Sequence, residues 1–123
     1  NILILQFRRN RKILELLKPL FDTGIVYISA VTRTEILAGT HPHEEALTMF
    51  ILDSAISLPV DPSIADQAGK LIYQYARSGL QLTLPDAQIA ATALAHDLTL
   101  ITTNPKDFPM PQLKLWPILR SSL

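Results

Sequence analysis

Apolar positions fall in short blocks whose period changes along the chain. Over 11–21, Ile13, Leu14, Leu17, Leu20 and Phe21 recur at helical spacing, with Pro19 as a kink or break. The β-branched and aromatic run IVYISA, 25–30, predicts a strand. TRTEILAG, 32–39, predicts a helix closed by Gly39, and HEEALTMFILDSA, 43–55, a second one. ISLPV, 56–60, reads as a short strand. The clearest helix is 61–79, where Asp61 suits the N-cap, Pro62 the first turn and Gly79 the C-terminal stop. In 86–97, Ala87, Ala90, Ala91 and Leu94 share one helical face, small enough for close packing against a sheet. LTLITT, 98–103, predicts a buried strand and LKLWPI, 113–118, a last one. The opening NILILQF reads as the end of a strand or a strand-to-helix turn.

Strands alternating with helices predict an α/β fold, a parallel sheet with helices on both faces. Ligands in such folds sit at the carboxyl ends of the strands. Glu35 lies on the predicted first helical turn after strand 25–30, Asp107 just past strand 98–103, and Asp86 at the start of a helix that feeds a strand. A crossover helix runs antiparallel to the strands, so all three acids are expected on one edge. Each also has an ordinary reading. Asp86 after Pro85 suits a helix start. Glu35 can complete a capping box with Thr32. Asp107 can be a turn residue after Pro105. Asp61 is explained by capping alone.

Like charges brought together repel, and a divalent cation relieves that cost. All-oxygen ligands select Mg²⁺ or Mn²⁺ over zinc. His41 and His43 fall in a turn, and His96 near a helix C-terminus, where a dipole partner is the expected role. The chain has no G-x-S-x-G elbow, P-loop or Gly-rich dinucleotide fingerprint.

Composition narrows this further. A chain of 123 residues, 48% apolar, fits one folded domain rather than disorder. Its longest apolar stretch is too short to span a bilayer, and no signal-peptide pattern is present. With no cysteine, disulfides, thiolate catalysis and Cys-based zinc sites are excluded, and a reducing cytoplasm is the expected compartment. Formal net charge is zero, which argues against a general polyanion-binding surface. The local cluster Arg8, Arg9, Arg11 and Lys12 is either a solvated helix face or a phosphate-steering patch.

The segments ISAVTRTEILAG, LTLPDAQIAATALAHDLTLITTNPKDF and NILI together resemble a PIN-domain ribonuclease, most closely the VapC-type toxins of toxin–antitoxin pairs. The resemblance spans essentially the whole chain, read as a single PIN domain over 1–123 that is N-terminally incomplete. It implies a three-layer domain with acidic positions around Mg²⁺ or Mn²⁺. Glu35, Asp86 and Asp107 match three of those positions, and Asn104 a nearby polar one. The family's first aspartate belongs to a D-T-N-x-L-I motif closing the first strand. NILI matches the tail of that motif, so the aspartate is expected two residues before Asn1 and the first strand is expected to be missing; a molecule starting at Asn1 is expected to be poorly stable and catalytically crippled or inactive.

The resemblance further implies an RNA substrate guided by Arg8, Arg9 and Lys12, a cognate VapB-like antitoxin, a homodimer, and DNA contact only through the antitoxin. A catalytically inactive binding partner of an antitoxin is the alternative. A phosphorylated receiver domain fits poorly, since Lys106 is its only candidate lysine and the Glu35 context does not match.

Overall fold

The computed structural model describes residues 3–6, 19 and 26–117. Five parallel strands form one sheet: β1 Leu3–Gln6, β2 Val26–Ser29, β3 Ile56–Leu58, β4 Thr99–Thr102 and β5 Leu115–Pro117, in the order β3-β2-β1-β4-β5. Among the described residues the connections contain four α-helices: α1 Ala30–Ala38, α2 Glu45–Asp53, α3 Pro62–Arg77 and α4 Leu84–Ala95. Single 3₁₀ turns at Pro42–Glu44 and Pro105–Asp107 complete the described elements. The predicted helix over 11–21 and the basic residues Arg8, Arg9, Arg11 and Lys12 lie outside the described residues, apart from Pro19.

Residues 3–6 form a strand of this sheet. Leu3–Gln6 is the central strand, with Leu5 level with Ile28 on one side and Ile101 on the other. Ile4 is fully buried. Pairing with a neighbour on each side is what encloses the Ile4 side chain. At the carboxyl end of β1 the chain places Gln6, level with Thr102.

The connections β1 to β2 to β3 step one way across the sheet, and the crossover from β3 to β4 steps back past β1. Right-handed crossovers put these two sets of helices on opposite faces, as the alternating pattern predicted. The chain reverses direction between β1 and β4, which makes the crevice there the topological switch point of the sheet.

The core joins Ile4, Leu98 and Leu100 to Ile64, Ala68 and Leu71 of α3 and to the buried residues of α4. Phe108, Met110 and Leu113 close it from the segment after β4. α3 follows its pattern: Asp61 caps it by accepting from the Ile64 N–H at 2.9 Å, so Asp61 is structural. α4 departs from its pattern. Ala87, Ile89, Ala90, Ala91, Thr92 and Ala93 are all buried, so the helix is enclosed nearly all round rather than on one face. Elsewhere, Arg33 ties α1 to α2 and β3 by reaching Asp53 at 3.1 Å and Ser57 at 3.2 Å.

Candidate active site

Two helix caps decide where the acids stand. Ser29 ends β2 and caps α1, its Oγ accepting from the Val31 N–H at 3.1 Å. α1 therefore starts two residues before the predicted boundary, and Glu35 lies in its second turn, not its first. Thr32 is inside the helix, so the capping-box reading of Glu35 is excluded. Glu35 is half-buried, and its Oε1 is enclosed by protein. Thr32, one turn earlier, is fully buried.

Thr83 caps α4, its Oγ1 accepting from the Asp86 N–H at 3.2 Å. This again starts the helix two residues early, with Pro85 in the first turn, where its missing N–H costs nothing. Asp86 is thus the third helical residue rather than the cap. Its carboxylate stands at the positive end of the helix dipole, where backbone N–H groups favour negative charge. α4 spans 12 residues, ~18 Å, and returns to β4 through a tight turn, so its N-terminus lies at the carboxyl edge of the sheet. α1 packs against α4, so Glu35 and Asp86 belong to neighbouring helices at that edge.

Asn104 and Asp107 follow β4. The Asn104 N–H donates to Thr102 Oγ1 at 3.0 Å, and its side-chain amide to Thr103 Oγ1 at 3.2 Å. The first contact holds the backbone and the second the side-chain amide beside the switch point. Asp107 ends the 3₁₀ turn, with its N–H donating to the Asn104 carbonyl at 3.0 Å, and it is exposed. Asp107 is therefore on the correct edge but on the rim.

Among the described residues, no three His, Asp or Glu side chains gather closely enough to hold a metal ion between them. What the described residues offer is narrower: two carboxylates on packed helices, one with an enclosed oxygen. That donor set fits Mg²⁺ or Mn²⁺, since Mg²⁺ takes one or two protein carboxylates and completes its octahedron with water and substrate oxygens. It does not resemble a zinc cage. His41 and His43 stack on each other with ring centroids 5.8 Å apart, in the exposed turn before α2. His96 is the C-cap residue of α4, at the negative end of the dipole as expected.

Sequence reasoning missed the threonines. Thr83 positions Asp86, and Thr102 and Thr103 position Asn104, as hydroxyl acceptors for nearby N–H groups. The T-L-P-D spacing was the legible signal for the first of these. Thr102 and Thr103 carry no comparable pattern.

The PIN domain family model matches residues 1–110. Ribonuclease VapC10 of Mycobacterium tuberculosis is 38% identical over 92 residues, 74% of this chain and 69% of that protein. Ribonuclease VapC19 of the same organism is 34% identical over 96 residues, 77% of each. Among solved structures, a chain of VapBC2 from Rickettsia felis, bound to a DNA fragment from the promoter, superposes with a TM-score of 0.76 at 22% identity, covering 97% of this chain and 100% of that one. A chain of a toxin–antitoxin complex from Klebsiella pneumoniae gives a TM-score of 0.67 at 28% identity, covering 94% of this chain and 98% of that one. The chain belongs to the PIN-domain family, grouping with its VapC-type members.

Proposed function

We propose that this protein is a Mg²⁺- or Mn²⁺-dependent endoribonuclease acting as the toxin of a type II, VapBC-like toxin–antitoxin pair. The observation that carries this reading is the placement of Glu35 and Asp86 on packed helices at the carboxyl edge, in a chain with VapC-type relatives. Glu35 and Asp86 hold the cation through carboxylate oxygens, and Asp107 contributes from the rim. When bound, the cation supplies Lewis acidity toward a phosphate oxygen and lowers the pKa of bound water. Asn104, its backbone N–H held by Thr102 and its side-chain amide by Thr103, orients the attacking water. Arg8, Arg9 and Lys12 guide the RNA backbone by charge.

The partner is a VapB-like antitoxin, and DNA is reached only through it. Two of the fold relatives come from DNA-bound VapBC structures, which supports that arrangement. α2 presents Leu47 and Phe50 to solvent, 61% and 70% exposed, an apolar face suited to a protein contact or to a homodimer.

Asp86→Asn tests the assignment. The amide is isosteric but a poor cation ligand, so RNA cleavage in Mn²⁺ falls by at least ~100-fold while the circular dichroism spectrum stays unchanged. Cleavage at the wild-type rate in this variant removes Asp86 from the site.

One observation favours a second reading. No trio of ligands gathers among the described residues, and Gln6 stands at the end of the central strand. A catalytically inactive partner that only holds an antitoxin has that appearance. It predicts antitoxin binding with no RNA cleavage at saturating Mn²⁺.

A further inference from the structure

The proposed site gathers negative charge, yet its substrate is a polyanion. Glu35 and Asp86 stand on neighbouring helices at the carboxyl edge, and Asp107 is exposed on the rim. An RNA phosphate that approaches these carboxylates is repelled unless a fixed positive charge lies beside them. The described lysines and arginines can be sorted by what already holds them. Arg33, on α1, is committed to Asp53 at 3.1 Å and to Ser57 at 3.2 Å. Arg77, in the last turn of α3, donates to the Tyr73 hydroxyl at 3.0 Å. Lys114 pairs at 3.5 Å with Asp97, which precedes β4 and so lies at the amino edge of the sheet. Lys70 lies midway along α3. Lys106 remains. It is exposed, it has no ion pair among the described residues, and it stands between Asn104 and Asp107 in the turn that follows β4.

That turn gives Lys106 a rigid base. Pro105 fixes φ at its first position. The Asp107 and Phe108 N–H groups close it by donating to the Asn104 and Pro105 carbonyls, both at 3.0 Å. Phe108 is buried in the core, so the residue after the turn is anchored as well. The backbone beneath Lys106 is therefore held, while its four-carbon stem reaches outward with a compact charge at the tip. Lys106 shares the rim with Asp107, outside the Glu35 and Asp86 pair, so its reach suits a phosphate next to the scissile one. We infer that Lys106 is a substrate-binding residue, whose ammonium takes an RNA phosphate flanking the scissile bond and fixes the path of the strand over the carboxylates. A contact of this kind is made equally in the ground state and the transition state, so it acts on KM and not on kcat. This rests on the reading of the chain as a ribonuclease.

The test compares the wild type with Lys106→Met and Lys106→Arg on a pool of single-stranded RNA oligonucleotides of random sequence. Three quantities are read: kcat and KM in Mn²⁺, RNA binding by fluorescence anisotropy across a salt series without divalent metal, and melting temperature. Losing one phosphate contact flattens the slope of log K against log salt by about 0.7 on a single strand. Lys106→Met is therefore expected to show that flatter slope and a KM raised about 5-fold, with kcat within about twofold of the wild type. Lys106→Arg keeps the charge and is expected to restore both slope and KM. Both variants melt like the wild type, because the side chain is exposed. An unchanged slope and KM in Lys106→Met, a loss of kcat with KM intact, or a failure of Lys106→Arg to restore the slope overturns the inference and leaves the ribonuclease reading standing. A wild type that neither binds nor cleaves RNA overturns both.

Discussion

Asp97 and Gly79 close two helices by the same device and with different residues. Both lie in the left-handed region, Asp97 at φ 52 and Gly79 at φ 82. In each case the next residue's N–H reaches back to the helix, Leu98 to Ala93 and Leu80 to Tyr75, both at 2.9 Å. Only glycine adopts this conformation without cost. Asp97→Gly is expected to raise stability by about 0.5–1 kcal/mol in urea unfolding. The 3.5 Å ion pair of Asp97 with Lys114 joins two highly exposed side chains, so its loss subtracts little. Gly79→Ala is expected to cost about 1 kcal/mol. Nothing lies within 4 Å of the added methyl, so that loss reports backbone conformation alone.

At the scale of elements, α4 carries both the core and the site. Its alanines let α1 and α3 approach, and that approach brings Asp86 to the helix that holds Glu35. Ala90 is fully buried, so Ala90→Leu forces the neighbours apart and is expected to cost about 1–3 kcal/mol by denaturant unfolding. A neutral result means that the packing around α4 is looser than its burial indicates. The N-terminus of the helix separates stability from chemistry less cleanly. Thr83→Ala removes the cap and is expected to cost about 1 kcal/mol. Because Asp86 sits in the turn that the cap holds, cleavage should fall as well, and more steeply than in Ala90→Leu at matched stability.

For the whole molecule, the apolar residues left outside the core are the remaining question. Leu47 and Phe50 of α2 are mostly exposed, and Ile56 of β3 is 46% exposed. Phe50→Glu is therefore expected to leave the melting temperature nearly unchanged. If α2 forms the homodimer or antitoxin contact, the same change shifts sedimentation toward smaller species or weakens antitoxin capture. Unchanged assembly in both assays removes α2 from the interface.

Much of this was legible in one dimension, for local reasons. Strand and helix periods, the Asp61 and Gly79 boundaries and the polar character of the site positions are properties of neighbouring residues. So is the carboxyl-edge argument, which needs only the alternation of strands and helices and a rule of handedness. The errors came where distant parts decide. Glu35 was read as a first-turn residue because Ala30 was assigned to the strand and the helix was started at Thr32. Ser29 ends the strand and caps α1 at once, so the turn moved. NILILQF read as the end of a strand or a strand-to-helix turn, and its central place was not legible because the pairing partners of Leu3–Gln6, Val26–Ser29 and Thr99–Thr102, are more than twenty and ninety residues away. The sequence by itself determined the fold class, the family and the candidate acids, because those follow from residue type, order and spacing. Only the tertiary structure decided that β1 is central, that α4 is enclosed on nearly all sides and that Asp107 sits on the rim. Each of these depends on which surfaces meet, and that is settled by packing between segments remote in the chain.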